Sequence, residues 1–141
     1  MIRELALYEN LADEAVATED GIEHALFGDD SHVSCHLGEV NGEAVAFALW
    51  FLSYSTFQGA PGLYLEDLYV KASHRGLGIG TALMVELARL CIEHGYTRFQ
   101  WWVLDWNKPS IGFYRSIGAV PMDEWTVYRL SGDALASFAQ R

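Results

Sequence analysis

Basic residues are scarce in this chain of 141 residues, in which nine Lys and Arg stand against nineteen Asp and Glu and the formal net charge is −10. Such a charge opposes binding to phosphate backbones and to anionic lipid surfaces. We therefore expect neither nucleic acid nor a membrane as the main partner. The acidity itself fits either general solubility or the attraction of a cationic substrate.

Cysteines are also few, and long apolar runs are missing. Cys35 and Cys91 form no CxxC pair, so neither a disulfide framework nor a zinc site of the usual cysteine spacing is indicated. His32 and His36 share one face of a predicted strand with Cys35 on the other, so we predict no metal site. The longest apolar run, residues 44–52, is far shorter than the roughly 20 residues that span a bilayer. We predict a cytoplasmic protein in a reducing compartment.

Apolar and aromatic residues, by contrast, are abundant, at 51% and 13% of the chain. This composition supports a packed core, and the length fits a single domain over residues 1–141. Hydrophobic periodicity, turn residues and helix caps predict an α/β fold, with a mixed sheet and helices packed on it. Its predicted elements are two short opening helices, the second capped by Thr18; strands 32–40 and 43–55 around the Asn41-Gly42 turn; a chain break at 59–62; a strand at 63–70; a helix at 79–94 ending at Gly95; a strand at 99–104; a helix at 109–117; a strand at 125–130; and a last helix capped by Ser131.

A glycine-rich stretch, residues 75–81, lies between a predicted strand and a predicted helix. Free backbone N–H groups at a helix start favour an anion such as pyrophosphate, and glycine lets a phosphate approach closely. The spacing does not match the dinucleotide-binding fingerprint, because Thr81 occupies the place of its last glycine. A Walker loop is excluded because no Gly-Lys-Ser/Thr is present. The alternative is that the glycines merely shape the turn.

Two motifs in this chain resemble those of the GNAT N-acetyltransferases. Arg75-x-x-Gly78-x-Gly80 matches the family's acetyl-coenzyme A motif, and residues 106–119 look like its C-terminal coenzyme-binding segment. Tyr64-Leu-Glu66-Asp67, Asp105-Trp106-Asn107 and Glu4-Leu-Ala-x-Tyr8-Glu9 more narrowly resemble the branch that acetylates diamines (spermidine and spermine) and thialysine.

This resemblance implies a GNAT fold, with mostly antiparallel N-terminal strands followed by parallel central strands that splay at the cofactor site. It also implies a homodimer and a first edge strand that would lie ahead of residue 1, so we expect either that the start of this sequence was placed late or that this version lacks the strand. Acetyl-CoA is the implied cosubstrate. The residues expected to bind it are Leu68, Tyr69, Val70, Arg75, Gly76, Leu77, Gly78, Ile79, Gly80, Thr81, Asn107, Ser110 and Tyr114.

Acetyl transfer to an amine requires a neutral nucleophile, yet an amine of pKa ~10.4 is only about one part in 2,500 neutral at pH 7. Glu66 is the candidate base, acting directly or through a water molecule; the alternative is a structural buried acid. A tyrosine can return a proton to the leaving thiolate. Tyr114 is the candidate acid, and its alternative role is a core aromatic beside Phe113.

The expected function is acetyl transfer in which a primary amine of a small cationic substrate attacks acetyl-CoA directly. The expected substrate is a diamine, a polyamine or a lysine-like amino acid. The resemblance and the position of the carboxylates suggest an acceptor site formed by Tyr8, Glu9, Phe57, Glu66, Asp67 and Trp125. For Trp125, plain packing on the sheet is an equal alternative. Two other functions stay open, namely acetylation of a protein N-terminus, lysine or drug amine, and a non-catalytic coenzyme A-binding domain.

Overall fold

The computed structural model describes residues 1–141 as two compact units, Met1–Leu104 and Asp105–Arg141. The second unit contains two helices, α4 (Lys108–Ser116) and α5 (Gly132–Phe138). The first unit contains, in chain order, α1 (Ile2–Tyr8), a 3-10 turn (Ala12–Glu14), α2 (Glu19–Phe27), β1 (Val33–Val40), β2 (Glu43–Ser55), β3 (Ala60–Val70), a second 3-10 turn (Ala72–His74), α3 (Ile79–His94) and β4 (Phe99–Gln100).

The four strands form one sheet in the order β1-β2-β3-β4. β1 and β3 both pair antiparallel with β2, whereas β4 runs parallel to β3. This arrangement confirms the predicted mixed sheet. The parallel pairing covers only Leu63 with Phe99 and Tyr64 with Gln100, after which the chain of residues 101–104 leaves the sheet. The two central strands therefore separate just beyond Tyr64.

Each face of the sheet is covered by one helix. On one face, Leu5 of α1 packs with Phe47, Leu49 and Tyr69. On the other face, α3 buries an apolar stripe at helical spacing. The first turn of α3 lies directly on β1, because a Cβ atom added to Gly38 would be 2.9 Å from Cγ2 of Ile79. The stripe consists of Leu83, Met84, Leu87 and Cys91, which confirms the predicted core position of Cys91.

Several local predictions are confirmed. Asn41 and Gly42 have φ angles of 53° and 81°, the left-handed values that a two-residue hairpin turn with the sheet's own twist requires. The Thr18 hydroxyl oxygen accepts a hydrogen bond from the Gly21 N–H at 3.1 Å and caps α2. Gly95 ends α3 with φ 69°.

The predicted break at residues 59–62 is wrong, because β3 begins at Ala60. The hairpin loop closes earlier, where the Gly59 N–H donates to the Ser55 carbonyl at 2.8 Å. Pro61 lacks an N–H, but it lies near the strand start and its carbonyl accepts from the Thr97 N–H at 3.0 Å. Proline therefore does not interrupt the antiparallel pairing with β2.

The predicted strand at residues 125–130 is also wrong, since this segment is irregular and exposed. Its β-branched and aromatic composition suits a strand, but a strand needs a partner to satisfy its backbone. Residues 105–141 contain helices and no other extended element that could pair with it. The predicted strand at 99–104 is shortened to Phe99–Gln100 by the separation from β3.

Candidate active site

The loop between β3 and α3 contains two glycines in the left-handed region, Gly76 with φ 77° and Gly78 with φ 81°. A Cβ atom at either position would meet no atom within 4 Å. Backbone conformation, and not crowding by the protein's own atoms, therefore requires glycine here. It follows that the loop backbone faces outward into open space.

The start of α3 supplies free hydrogen-bond donors. The first backbone bond of this helix joins the Ala82 N–H to the Gly78 carbonyl at 2.9 Å, and no side chain caps the helix. The N–H groups of Ile79, Gly80 and Thr81 thus precede the helix's own hydrogen-bond ladder. Three donors and the positive end of a 16-residue helix suit a pyrophosphate.

The side chain of Arg75 connects this loop to α1. Its Nε donates to the Val70 carbonyl at 3.0 Å, and its guanidinium carbon lies 4.7 Å from the ring centroid of Tyr8 and 5.6 Å from that of Tyr69. These contacts fix the entry of the loop at the end of β3. The side chain remains exposed, so its other guanidinium nitrogens can still reach an anion.

A β-bulge interrupts the pairing of β2 with β3 at Glu66. Leu49 pairs with Asp67 and Trp50 pairs with Leu65, which leaves Glu66 as the extra residue. A bulge breaks the strict alternation of side chains and redirects those next to it. Glu66 and Asp67 are therefore not held on opposite faces as they would be on a regular strand. Glu66 is exposed and Asp67 is half-buried.

Two carboxylates act on a third around this bulge. The pKa of Asp67 is raised to about 6, first by burial and then by the negative charges of Glu66 and Glu9. Burial also raises the pKa of Glu9, which follows directly after α1. The pKa of the Cys35 thiol is raised by burial and by the charge of Asp67. The structure thus brings together Glu9, Glu66 and Asp67, three of the residues predicted to form the acceptor site.

Aromatic rings lie on the face of the sheet that carries Asp67. The ring centroids of Phe51 and Tyr64 are 5.0 Å apart, and Tyr64 meets Trp102 edge to face at 5.8 Å and 89°. Sequence reasoning missed Trp102, because the predicted strand gave no indication that the chain leaves the sheet after Gln100. The alternation of side chains along a strand could have indicated Trp102, because it places Gln100 and Trp102 on the same face of the sheet as Tyr64.

Phe57, predicted to border the acceptor site, lies at the tip of the β2–β3 hairpin and is 98% exposed. The hairpin end at Ser55 is six residues along β2 from Leu49, the partner of Asp67. This corresponds to about 20 Å along the strand. Within the first unit, the structure therefore keeps Phe57 apart from the three carboxylates.

The remaining predicted site residues lie in the second unit. Asn107 is 5% exposed, and its Oδ1 accepts from the Ser110 N–H at 3.3 Å as the cap of α4. Tyr114 is half-buried on α4, with its ring centroid 5.4 Å from that of Phe113. Trp125 is 72% exposed in the irregular segment after α4.

The structure contains neither a cluster of metal-binding side chains nor a helix that could span a membrane. No group of three or more His, Cys, Asp or Glu side chains is arranged to hold a metal ion. Every helix is also too short or too polar to cross a lipid bilayer.

Comparisons with known proteins agree with this geometry. The model of the acetyltransferase (GNAT) family matches residues 4–119. The thialysine N-epsilon-acetyltransferase of Sus scrofa is 35% identical over 150 residues, which cover 99% of this chain and 88% of that protein. The L-ornithine N5-acetyltransferase of Arabidopsis thaliana is 38% identical over 98 residues, or 69% of this chain and 43% of that protein. A solved integron cassette protein from the mobile metagenome of V. cholerae has a TM-score of 0.84 and 30% identity, covering 99% of this chain and 88% of that one.

Proposed function

Because this chain belongs to the GNAT family of acetyltransferases, whose members take the acetyl group from acetyl-CoA, we propose that its acceptor is a primary amine on a small molecule with a second positive charge. A diamine, a polyamine and a lysine-like amino acid all meet this description. The names of the two relatives point the same way, since thialysine and ornithine each carry a side-chain amine in addition to the α-amino group.

The observation that carries this proposal is the group of three carboxylates at the bulge. Asp67 has its pKa raised to about 6 by burial and by the charges of Glu66 and Glu9, so at neutral pH the site holds more negative charge than its surroundings favour. A bound ammonium group relieves this repulsion. Exposed charges are screened within about 8 Å at physiological salt, so these carboxylates, and not the net charge of the chain, determine selectivity.

In the proposed reaction, Glu66 accepts the proton of the attacking ammonium, directly or through water, while Asp67 and Glu9 hold the distant positive charge. At pH 7, deprotonation of an amine of pKa ~10.4 costs roughly 4.6 kcal/mol. The neutral nitrogen then bonds to the acetyl carbon, the bond from that carbon to sulfur breaks, and the nitrogen releases its second proton to water, which replaces the proton that Tyr114 donates. Backbone N–H groups of β3 beyond Tyr64, where the pairing with β4 ends, can stabilise the thioester oxygen. Tyr114 returns a proton to the thiolate.

Acetyl-CoA supplies an acetyl group activated as a thioester, and two parts of the chain are proposed to hold it. Residues 75–81 bind the pyrophosphate through the backbone donors at the start of α3. Leu68, Tyr69 and Val70 on β3 contact the pantetheine arm, as do Asn107 at the cap of α4 and Ser110 and Tyr114 within that helix. Since the Asn107 carbonyl oxygen already caps α4, its contact with the arm is proposed through its side-chain amide nitrogen.

A comparison of two acceptors tests the substrate class. We expect kcat/KM for a diamine to exceed that for an uncharged monoamine of equal length and similar amine pKa by tenfold or more. Glu66→Gln is expected to lower the activity towards the diamine and to shift its pH profile. Asp133→Asn, in the first turn of α5 and exposed, is the matched control and should change neither. Equal efficiencies for the two amines, unaffected by Glu66→Gln, would contradict the proposed acceptor and leave the acetyltransferase activity standing.

Tyr114→Phe tests the proton donor. Since only a hydroxyl is removed from a half-buried ring, we expect kcat to fall by about 10²–10⁴ with little change in the KM for acetyl-CoA. Tyr128→Phe, at a tyrosine that is 92% exposed, controls for the loss of a hydroxyl elsewhere. If Tyr114→Phe keeps more than half of the wild-type kcat while chemistry limits the rate, Tyr114 has a packing role only.

We further propose that the protein works as a homodimer in the cytoplasm. Large side chains such as Phe57, Trp125 and Tyr128 are strongly exposed in the isolated chain. Aromatic residues of this kind are enriched at protein interfaces. A second copy is therefore the proposed cover for part of this surface.

A further inference from the structure

We propose that Trp102 is a specificity-determining residue whose indole face binds the second positive charge of the acceptor. This inference rests on the proposed function, because it identifies the group that recognises the cationic end of that substrate. Three observations carry it: the position of Trp102 at the point where β3 and β4 separate, its exposure, and its packing against Tyr64.

Trp102 follows shortly after the last residue pair that β3 and β4 share, and its ring contacts Tyr64, two residues before Glu66. Tyr64 pairs with Gln100, and pairing then stops. Two residues further along each chain stand Glu66 and Trp102. The opening between the two segments therefore has the bulge with Glu66 and Asp67 on its β3 side and the segment that carries Trp102 on the other.

Trp102 presents an aromatic surface that the protein does not cover. Its side chain is 60% exposed. Tyr64 meets it at 89°, and a perpendicular neighbour can cover at most one of the two indole faces. Trp101 provides the contrast, because it is half-buried and its ring packs against that of Phe99 at 4.9 Å.

Tyr64 holds the indole in place. Its own ring packs against that of Phe51 at 5.0 Å, so the three rings form one connected wall on the face of the sheet that also carries Asp67. A cation over an indole face is attracted by the ring quadrupole, and tryptophan binds cations best among the aromatic residues. The carboxylates provide charge, whereas this wall provides a preference for a cation with an apolar outer surface.

The two kinds of contact predict different behaviour towards N-methylated acceptors. A carboxylate binds a primary ammonium best, because it accepts hydrogen bonds from it, whereas cation–π attraction needs no N–H donor. We therefore expect the enzyme to accept a substrate that carries a primary amine at one end and a trimethylammonium group at the other.

The test compares this trimethylammonium amine with its neutral isostere, in which a tert-butyl group replaces the trimethylammonium group. For the wild-type chain, we expect kcat/KM to favour the charged compound about tenfold or more. Trp102→Leu should reduce this preference to less than about threefold by raising the KM for the charged compound. Trp102→Phe should restore part of the preference, while kcat, the KM for acetyl-CoA and the thermal midpoint stay close to wild type in both variants. Phe27→Leu, at an exposed aromatic residue on α2, is the control and should leave the preference unchanged.

The possible results separate the role of Trp102 from the identity of the acceptor. A preference that is present in the wild type and unchanged in Trp102→Leu overturns the role of Trp102 but leaves the cationic acceptor standing. An equal rise in KM for both compounds in Trp102→Leu reduces Trp102 to a wall that excludes water, which also overturns the proposal. A wild-type chain that does not distinguish the two compounds overturns this inference, whereas the proposed acceptor is decided separately by the comparison of a diamine with an uncharged monoamine.

Discussion

Asp67→Asn is expected to make the folded protein more stable at pH 8 and, at the same time, a poorer enzyme for a dicationic amine. Burial and the charges of Glu66 and Glu9 raise the pKa of Asp67 from 3.8 to about 6, so the ionised side chain is disfavoured in the folded state at neutral and basic pH. A shift of this size corresponds to roughly 3 kcal/mol. Since Asp67 keeps some contact with solvent, we expect a gain of about 1–3 kcal/mol in the free energy of unfolding.

The destabilisation caused by Asp67 increases with pH, because it arises when this side chain is ionised in the folded state. Between about pH 4 and pH 6, the folded state keeps the Asp67 proton while the unfolded state has lost it. Stability therefore falls as pH rises through this window, and the cost is complete above about pH 6. The stability gap between Asp67→Asn and wild type should accordingly be wider at pH 8 than at pH 5 in urea denaturation experiments. A gap of the same size at both pH values would contradict the assignment of the raised pKa.

The activity of the wild type depends on the same ionisation of Asp67 but has the opposite pH dependence, because activity increases with pH whereas stability decreases. An ammonium group binds the ionised form of Asp67, so the KM for a diamine should rise as pH falls below about 6, and Asp67→Asn should remove this dependence. Glu43→Gln is a useful control, because Glu43 has its pKa lowered by its hydrogen bond and ion pair with Lys71. Its neutralisation should give no stability gain at pH 8 and no change in the KM for the amine.

Gly78→Val is expected to abolish measurable binding of acetyl-CoA in calorimetry. The backbone at Gly78 has φ 81° and faces open space, so a valine would both strain the loop and project its methyl groups where a phosphate approaches the helix start. The strain alone costs of order 1–3 kcal/mol, which a folded domain can tolerate.

Gly42 offers a closely matched control for this experiment. It has the same φ of 81° and the same open surroundings, but it lies in the turn between β1 and β2. Gly42→Val should therefore cost a similar amount of stability and leave acetyl-CoA affinity unchanged. Retained affinity in a folded Gly78→Val protein, or equal losses in the two variants, would show that the loop does not bind the cofactor through its backbone.

Local signals in the sequence were sufficient wherever a single residue type determines the conformation. Asn41-Gly42 and Gly95 adopt left-handed backbone angles that few other residues tolerate, and Thr18 caps α2 through its own hydroxyl. Such features depend on neighbours in the chain and can be read from short segments. The same applies to the glycines at the start of α3.

Features that depend on a distant partner could not be predicted in this way. Residues 125–130 have the composition of a strand, but no other extended segment of residues 105–141 pairs with them. β4 ends after two residues because its partner diverges, which brings Trp102 out of the sheet. The bulge at Glu66 depends on register with β2. The resemblance to a family implied such a departure near Glu66, whereas spacing alone indicated opposite faces for Glu66 and Asp67.

Because position 38 is a glycine, the glycine-rich loop before α3 depends on β1 for its orientation. Gly38 allows the first turn of α3 to rest on β1, because a Cβ atom at this position would lie only 2.9 Å from Ile79 and 3.0 Å from Ala46, closer than van der Waals contact. The orientation of the helix end that carries the three free N–H donors thus depends on a strand some forty residues upstream. Residues 75–81 are therefore not a portable module. Grafted onto another sheet, the same seven residues would keep their backbone angles but would need an equally small residue beneath them to aim those donors in the same direction.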